Sequence, residues 1–308
     1  MAAGPRSEGA TVGPVVAGPP VAKSLPMSDN DRPIALVTGA SRGVGAGIAR
    51  ALGEAGAVVY VTGRSTRAAP RSDGLTGTIE ETAEAVTAAG GEGIALACDH
   101  HDEAAAQAQM RRIAGERHRL DVLVNNAWGG YERNTGDGSF AAPFQGLPTH
   151  FWADMFEGGL KPAFLTTRHA LPLMTTPRPV DAPPRTIVNV VAWAFGEYLG
   201  NLWYDVAKAA AIRMIEGLAR ETAPADITCV ALAPGFVRTE RVERALAGDA
   251  TKLAATESAL YAGRAVAALA CDPDALERSG KLVTAAELAR DYGFTDGDGR
   301  QPPPFRFG

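Results

Sequence analysis

The chain has 308 residues, 46% of them apolar, and a formal net charge of −5. That is enough apolar material for one large open α/β sheet, while the mild negative balance gives no electrostatic ground for a nucleic-acid partner or an anionic membrane surface. No apolar run approaches the length of a membrane-spanning helix, and the proline-broken start (Gly13-Pro14, Gly18-Pro19-Pro20) lacks a signal-peptide core, so a cytoplasmic protein with no membrane partner is expected.

Residues 1–30 are rich in Ala, Gly and Pro and are expected to form a disordered tail. From there short apolar runs alternate with helical segments. Ile34-Ala35-Leu36-Val37 reads as a first strand and Thr38-Gly39-Ala40-Ser41-Arg42-Gly43-Val44-Gly45 as a glycine turn. The residues that follow, with Ile48 and Leu52 on one face, read as a helix. Further strands are expected at 57–61, 94–98, 122–124, 186–191, 227–232 and 281–283, and helices at 79–89, 102–118, 149–174, 202–222 and 256–270, with Asp102 and Thr149 as N-caps. The strands are continuous apolar runs rather than alternations. This predicts a doubly wound parallel sheet of the Rossmann type, in a single domain over 31–284 with an extension at 285–308. Cys98, Cys229 and Cys271 have no CxxC pairing and are expected to be buried reduced thiols, and the histidines lack metal-ligand spacing, so no metal is expected.

Two stretches carry chemistry. In the glycine turn, Gly39 permits the tight reversal, Gly43 lets the backbone approach a diphosphate, and Gly45 lets the helix pack on the strand, while the free N–H groups of the helix start favour an anion. In Tyr204-Asp205-Val206-Ala207-Lys208, a spacing of four puts phenol and ammonium a turn apart on one helix face, where the positive charge is expected to favour phenolate and suit the tyrosine to acid/base work.

Together these motifs resemble the short-chain dehydrogenase/reductase family, over about 33–284. The turn, with Gly39, Ser41, Arg42, Gly43, Val44 and Gly45, is similar to the family's cofactor motif. Asp99 matches the acid that contacts adenine, and Asn125-Asn126-Ala127 matches a segment behind the fourth strand in which Asn125 and Ala127 line the cofactor. Tyr204 and Lys208 match the catalytic pair. Pro234-Gly235-Phe236-Val237-Arg238-Thr239 resembles the segment that closes over the nicotinamide, implicating Pro234, Gly235, Val237 and Thr239. The Asn-Asn-Ala-Trp-Gly-Gly insertion, the Gly-Phe-Val-Arg-Thr-Glu segment and the C-terminus resemble the subgroup of dehydrogenase/reductase member one. The resemblance implies a homo-oligomer paired through the helices beginning near Thr149 and Leu202.

Cofactor choice is read at the end of the second strand. An NAD enzyme usually places an acid there; here Gly63 is followed by Arg64, and Arg64 with Arg42 is expected to converge on a 2′-phosphate, giving NADP(H). Two family positions are substituted. The serine that polarises the substrate carbonyl is replaced by Ala192 or Val191, depending on alignment, and the catalytic asparagine by Gly159. In the family that asparagine accompanies a helix distortion, which the Gly158-Gly159 pair is expected to preserve. Losing one oxyanion donor costs about 100- to 1000-fold in rate. An active carbonyl reductase or alcohol dehydrogenase is therefore favoured over a cofactor-binding sensor or scaffold, and the Tyr–Lys spacing disfavours an enoyl reductase. Trp128, Tyr131, Trp193, Phe195, Tyr198 and Trp203 predict an apolar carbonyl or alcohol substrate, with Glu132, Glu197 and Asn201 as candidate polar contacts.

Overall fold

The computed structural model describes residues 32–69, 74–133, 139–178, 182–193 and 195–306; the expected tail at 1–30 lies outside them. The strands are β1 (Ile34–Val37), β2 (Val58–Gly63), β3 (Glu92–Ala97), β4 (Val122–Asn125), β5 (Arg185–Val190), β6 (Ile227–Ala233), β7 (Val237–Arg238), β8 (Glu257–Ser258) and β9 (Lys281–Thr284). Seven of them form one sheet in the order β3-β2-β1-β4-β5-β6-β9, every neighbouring pair parallel, and β7 and β8 pair separately. The helices are α1 (Gly43–Glu54), α2 (Ile79–Ala88), α3 (Glu103–Arg117), α4 (His150–Met155), α5 (Lys161–Met174), α6 (Leu202–Thr222), α7 (Glu240–Ala245), α8 (Ala250–Ala254), α9 (Ala259–Cys271) and α10 (Ala285–Tyr292).

Side chains on a strand alternate between faces, and here both faces are covered. Ala35 and Val37 of β1 join one core with Val59, Val61, Val122 and Val124, closed by residues of α1, α2, α9 and α10. Ile34 and Leu36 join the other with Val58, Tyr60, Leu123 and Ile187, closed by α3, α5 and α6. That double cover is why the strands are apolar throughout. Helix α1 meets α9 backbone to backbone: a Cβ on Gly47 would lie 2.2 Å from the Ala259 carbonyl oxygen, and one on Gly263 2.4 Å from that of Gly47.

The chain leaves β1 outward to β3 and returns to β4 beside β1. The winding reverses there, so a crevice opens at the carboxyl ends of β1 and β4, where open parallel sheets bind ligands. The region read as one helix over 149–174 is interrupted: α4 runs into a π-helical turn at Phe156–Leu160 before α5 begins. The turn coincides with Gly158-Gly159, as expected from the weakness of glycine in a helix. Thr149 is not the expected cap; its backbone is already helical and its side chain makes no capping bond, whereas Asp102 accepts from the Ala104 N–H at 2.8 Å. Cys98 and Cys229 are buried, but Cys271, the last residue of α9, is exposed. No helix among the described residues is long and apolar enough to cross a membrane.

Candidate active site

The crevice begins with two loops pressed together. Gly39 has φ +63°, and a Cβ there would fall 2.7 Å from the Ala127 Cα; one on Gly45 would fall 2.4 Å from Nδ2 of Asn126. Asn126 donates to the carbonyls of Thr38 and Gly39, at 3.0 and 2.9 Å, and the Thr38 hydroxyl accepts from the Asn126 and Ala127 N–H groups, both at 3.0 Å. Thr38 and Asn126 thus clamp the glycine turn to the end of β4. Gly39, Ser41, Arg42, Gly43, Arg64, Ala127 and Thr239, all candidates from sequence, line one continuous cleft. The turn fits the diphosphate of a dinucleotide: its glycines leave a cradle that Cβ atoms would fill, and the amides at the start of α1 suit an anion. One carboxylate already takes that position, since the Gly43 N–H donates to Oε1 of Glu240 at 3.3 Å.

Arg42 and Arg64 both line this cleft, each bonded to partners of its own. Arg42 donates to the Ser65 hydroxyl at 2.9 Å and the Gly77 carbonyl at 3.4 Å. Arg64 forms an ion pair with Glu132 and lies 3.9 Å from Asp99. The end of β2 carries no acid, because its last residue is Gly63.

Other candidates have structural roles of their own. The Asn125 side chain points away from the cleft into the core, donating to Thr167 and Asn189 at 2.9 Å each, so it braces β4 against β5 and α5 rather than touching a ligand. Val44 packs against the first core. Asp99 is exposed beyond the lining and accepts from the His101 backbone N–H at 3.1 Å. Gly235 donates to Glu257 at 2.9 Å, Val237 is buried in the β7–β8 pair, Pro234 leads into it, and Thr239 caps α7. Asn201, a candidate substrate contact, is fully buried; it caps α6 by accepting from the Tyr204 N–H at 2.9 Å and donates to the Phe140 carbonyl at 2.7 Å. Glu132 is likewise committed to Arg64.

Tyr204 and Lys208 lie in the first two turns of α6 behind a screen of rings. The Tyr204 ring lies 5.7 Å from those of Trp128 and Tyr131 and 5.9 Å from Phe140. The Lys208 ammonium lies 3.5 Å from the centroid of the Trp128 ring and 5.6 Å from that of Tyr204. Burial alone pushes the Lys208 pKa down to about 7. Burial also raises that of Tyr204, against a hydrogen bond from Tyr131 that lowers it. The expectation that Lys208 draws the phenol toward phenolate is therefore not met in this arrangement: desolvation acts on both groups, and the ammonium sits closer to the indole.

Trp128 is the residue whose role the sequence concealed. It occupies the position directly behind Asn-Asn-Ala, and a Cβ on Gly159 would fall 2.6 Å from its ring. The indole fills the place where a side chain at the substituted asparagine position would stand. The carbonyl of Gly158, freed by the π turn, accepts from the Gly129 N–H at 2.8 Å and lies 3.2 Å from Nε2 of His101. At the serine position, Val191 is buried with its N–H bonded to the Leu232 carbonyl at 2.9 Å, and neither Val191 nor Ala192 offers a hydroxyl.

Comparison with known proteins places this geometry. The family model described as short chain dehydrogenase matches residues 33–250. Dehydrogenase/reductase SDR family member 1 of Mus musculus is 34% identical over 281 residues, spanning 87% of this chain and 84% of the relative. Among solved structures, a short chain dehydrogenase from Mycobacterium thermoresistibile shares the fold with a TM-score of 0.73 at 22% identity, over 88% of this chain and 91% of that one. A 3-oxoacyl-(acyl-carrier protein) reductase from Brucella melitensis, solved in complex with NAD, superposes with a TM-score of 0.65 at 27% identity, over 82% and 95% of the two chains. With its reversal-point cleft, its clamped glycine turn and its tyrosine–lysine pair, the chain belongs to the short-chain dehydrogenase/reductase family and, within it, to the subgroup resembling family member 1.

Proposed function

We propose that the protein is an NADP(H)-dependent reductase that interconverts an apolar carbonyl compound and its alcohol. The observation that carries this is the placement of Tyr204 and Lys208, a turn apart on α6, behind a cleft lined by Arg42 and Arg64, with Gly63 in place of an acid at the end of β2. When bound, a reduced nicotinamide supplies the hydride. Ser41, Gly43 and the start of α1 would hold the diphosphate, and Arg42 and Arg64 the 2′-phosphate. Tyr204 Oη gives the proton to the substrate oxygen, and Lys208 would hold the ribose and, when charged, stabilise the resulting phenolate. Trp128, Tyr131 and Phe140 keep water from that oxygen and favour an apolar substrate. The NAD in the Brucella structure belongs to that protein; here Gly63 and Arg64 support the phosphorylated cofactor. Exposed apolar residues on α4, α5 and α6, Trp152, Phe164 and Val206, support a homo-oligomer paired through these helices.

The test pairs binding with turnover. NADPH should bind more tightly than NADH, with Arg64→Ala removing the difference. Tyr204→Phe should keep NADPH binding and lose reduction of an activated apolar dicarbonyl such as phenanthrenequinone. Equal affinities would refute the cofactor assignment, and full turnover in Tyr204→Phe would refute the mechanism. Tight NADPH binding with no carbonyl or alcohol turned over would instead favour a nucleotide sensor.

A further inference from the structure

The end of β5 offers no hydroxyl to polarise a substrate carbonyl, yet a second phenol stands at the tyrosine that would protonate it. We propose that Tyr131 supplies the missing carbonyl-polarising donor, so that the substrate oxygen is held between two phenols, one from the loop behind β4 and one from α6. This rests on the reductase reading above.

Position supports it first. Tyr131 lines the cleft together with Ser41, Arg42 and Gly43, while Tyr204 lies behind it, so Tyr131 stands between the cofactor groove and the acid. The two rings are 5.7 Å apart, tilted by 38°. Packing then fixes the ring: Trp128 lies 6.2 Å away on one side, Phe140 6.0 Å on another, and the Arg241 guanidinium 5.7 Å from the ring centroid. A donor locked in this way loses little in reorganising as charge develops on the substrate oxygen, which is what makes an oxyanion donor effective.

The protonation states agree with the geometry. Burial, and the neighbouring Tyr204 phenol, raise the Tyr131 pKa well above that of an ordinary phenol. Tyr131 thus keeps the proton with which it would donate. In the step, hydride from the reduced nicotinamide forms the C–H bond at the carbonyl carbon. The C=O π pair moves to oxygen, and the Tyr204 proton completes the alcohol. Tyr131 donates a hydrogen bond to that oxygen throughout and gives up nothing. The products are alcohol, oxidised nicotinamide and a Tyr204 phenolate that solvent reprotonates.

The test uses the full chain, NADPH and phenanthrenequinone. Tyr131→Phe keeps the ring packing and removes one hydroxyl. It should leave NADPH binding and thermal stability unchanged, hold KM within a few-fold, and lower kcat by about 100-fold or more. The loss should fall on kcat and not on KM, a split that loss of packing around the bound substrate would not produce. A kcat within threefold of the parent, or a loss carried by KM alone, alongside an inactive Tyr204→Phe overturns this inference and leaves the reductase reading standing. Turnover retained in Tyr204→Phe, or absent in the parent, overturns both.

Discussion

Replacing Gly159 by alanine probes the contact on which the lysine's environment depends. The new Cβ would fall 2.6 Å from two atoms of the Trp128 ring and 3.0 Å from a third. Ring atoms cannot yield as a flexible chain end does, so the indole must leave its place, and overpacking of this kind costs about 1–3 kcal/mol. Displacement also breaks the contact between the Lys208 ammonium and the indole face, worth about 2 kcal/mol where it is desolvated. In a Trp128→Ala background the space is open. There Gly159→Ala should be neutral or stabilising by up to about 1 kcal/mol, the ordinary gain of alanine over glycine in a helix. The two backgrounds should therefore differ by about 3–6 kcal/mol. A double-mutant cycle in urea, with unfolding followed by circular dichroism, measures this directly. Equal costs in the two backgrounds, within about 0.5 kcal/mol, would show that Trp128 does not occupy that space.

Glu240→Gln should tighten NADPH binding about two- to fivefold, because a carboxylate at the start of a helix is worth about 0.3–1 kcal/mol and must be displaced by the diphosphate; calorimetric titration giving an unchanged or weaker affinity would refute this. Glu257 has its pKa raised to about 7, chiefly by burial, from an ordinary value of 4.5. The folded state thus holds a proton that the unfolded chain releases, so its contribution, of order 3 kcal/mol, is complete below about pH 4.5 and is lost as pH rises through about 7. Glu257→Gln should flatten the fall in unfolding free energy between pH 5 and pH 8, and an unaltered slope would exclude Glu257 as its source. Gly47→Ala should destabilise by about 3 kcal/mol, since its Cβ would meet the Ala259 backbone at 2.2 Å, whereas Gly115→Ala in α3, with nothing within 4 Å, should stabilise by about 1 kcal/mol. Thermal melts of the two variants moving in the same direction would refute the contrast.

The sheet was legible because burial on both faces leaves an unmistakable mark: runs such as Val58–Gly63 are fully buried, and their residue types say so. The glycine turn was legible for a similar reason, since the positive φ of Gly39 and its approach to Ala127 leave a side chain no room. The π turn was half legible. Glycines in place of the asparagine pointed to a weak helix, but not to the indole that replaces the missing side chain, because Trp128 arrives from a loop 31 residues earlier. Glu240 was hidden in the same way: it lies 197 residues from Gly43, and nothing local to either marks their contact. Asn125 and Asn201 misled because asparagine serves equally as ligand and as strut, and only burial separates the two uses. The phenol's protonation could not be inferred from spacing, since a turn-apart lysine lowers a tyrosine's pKa only if its charge survives burial.

The seam between α1 and α9 bears on how the protein is made. Gly47 packs against Ala259 and Gly263, so the helix behind the cofactor turn finds its close partner more than 200 residues downstream. As the chain emerges from the ribosome, β1 and α1 come out early and must wait with an apolar face uncovered until α9 follows. Contacts of such separation slow folding and leave the early half open to misassembly. A nascent chain stopped before Ala259 should therefore be the species that chaperones hold and proteases clear, and the nucleotide cradle should acquire its final shape only when synthesis is almost complete.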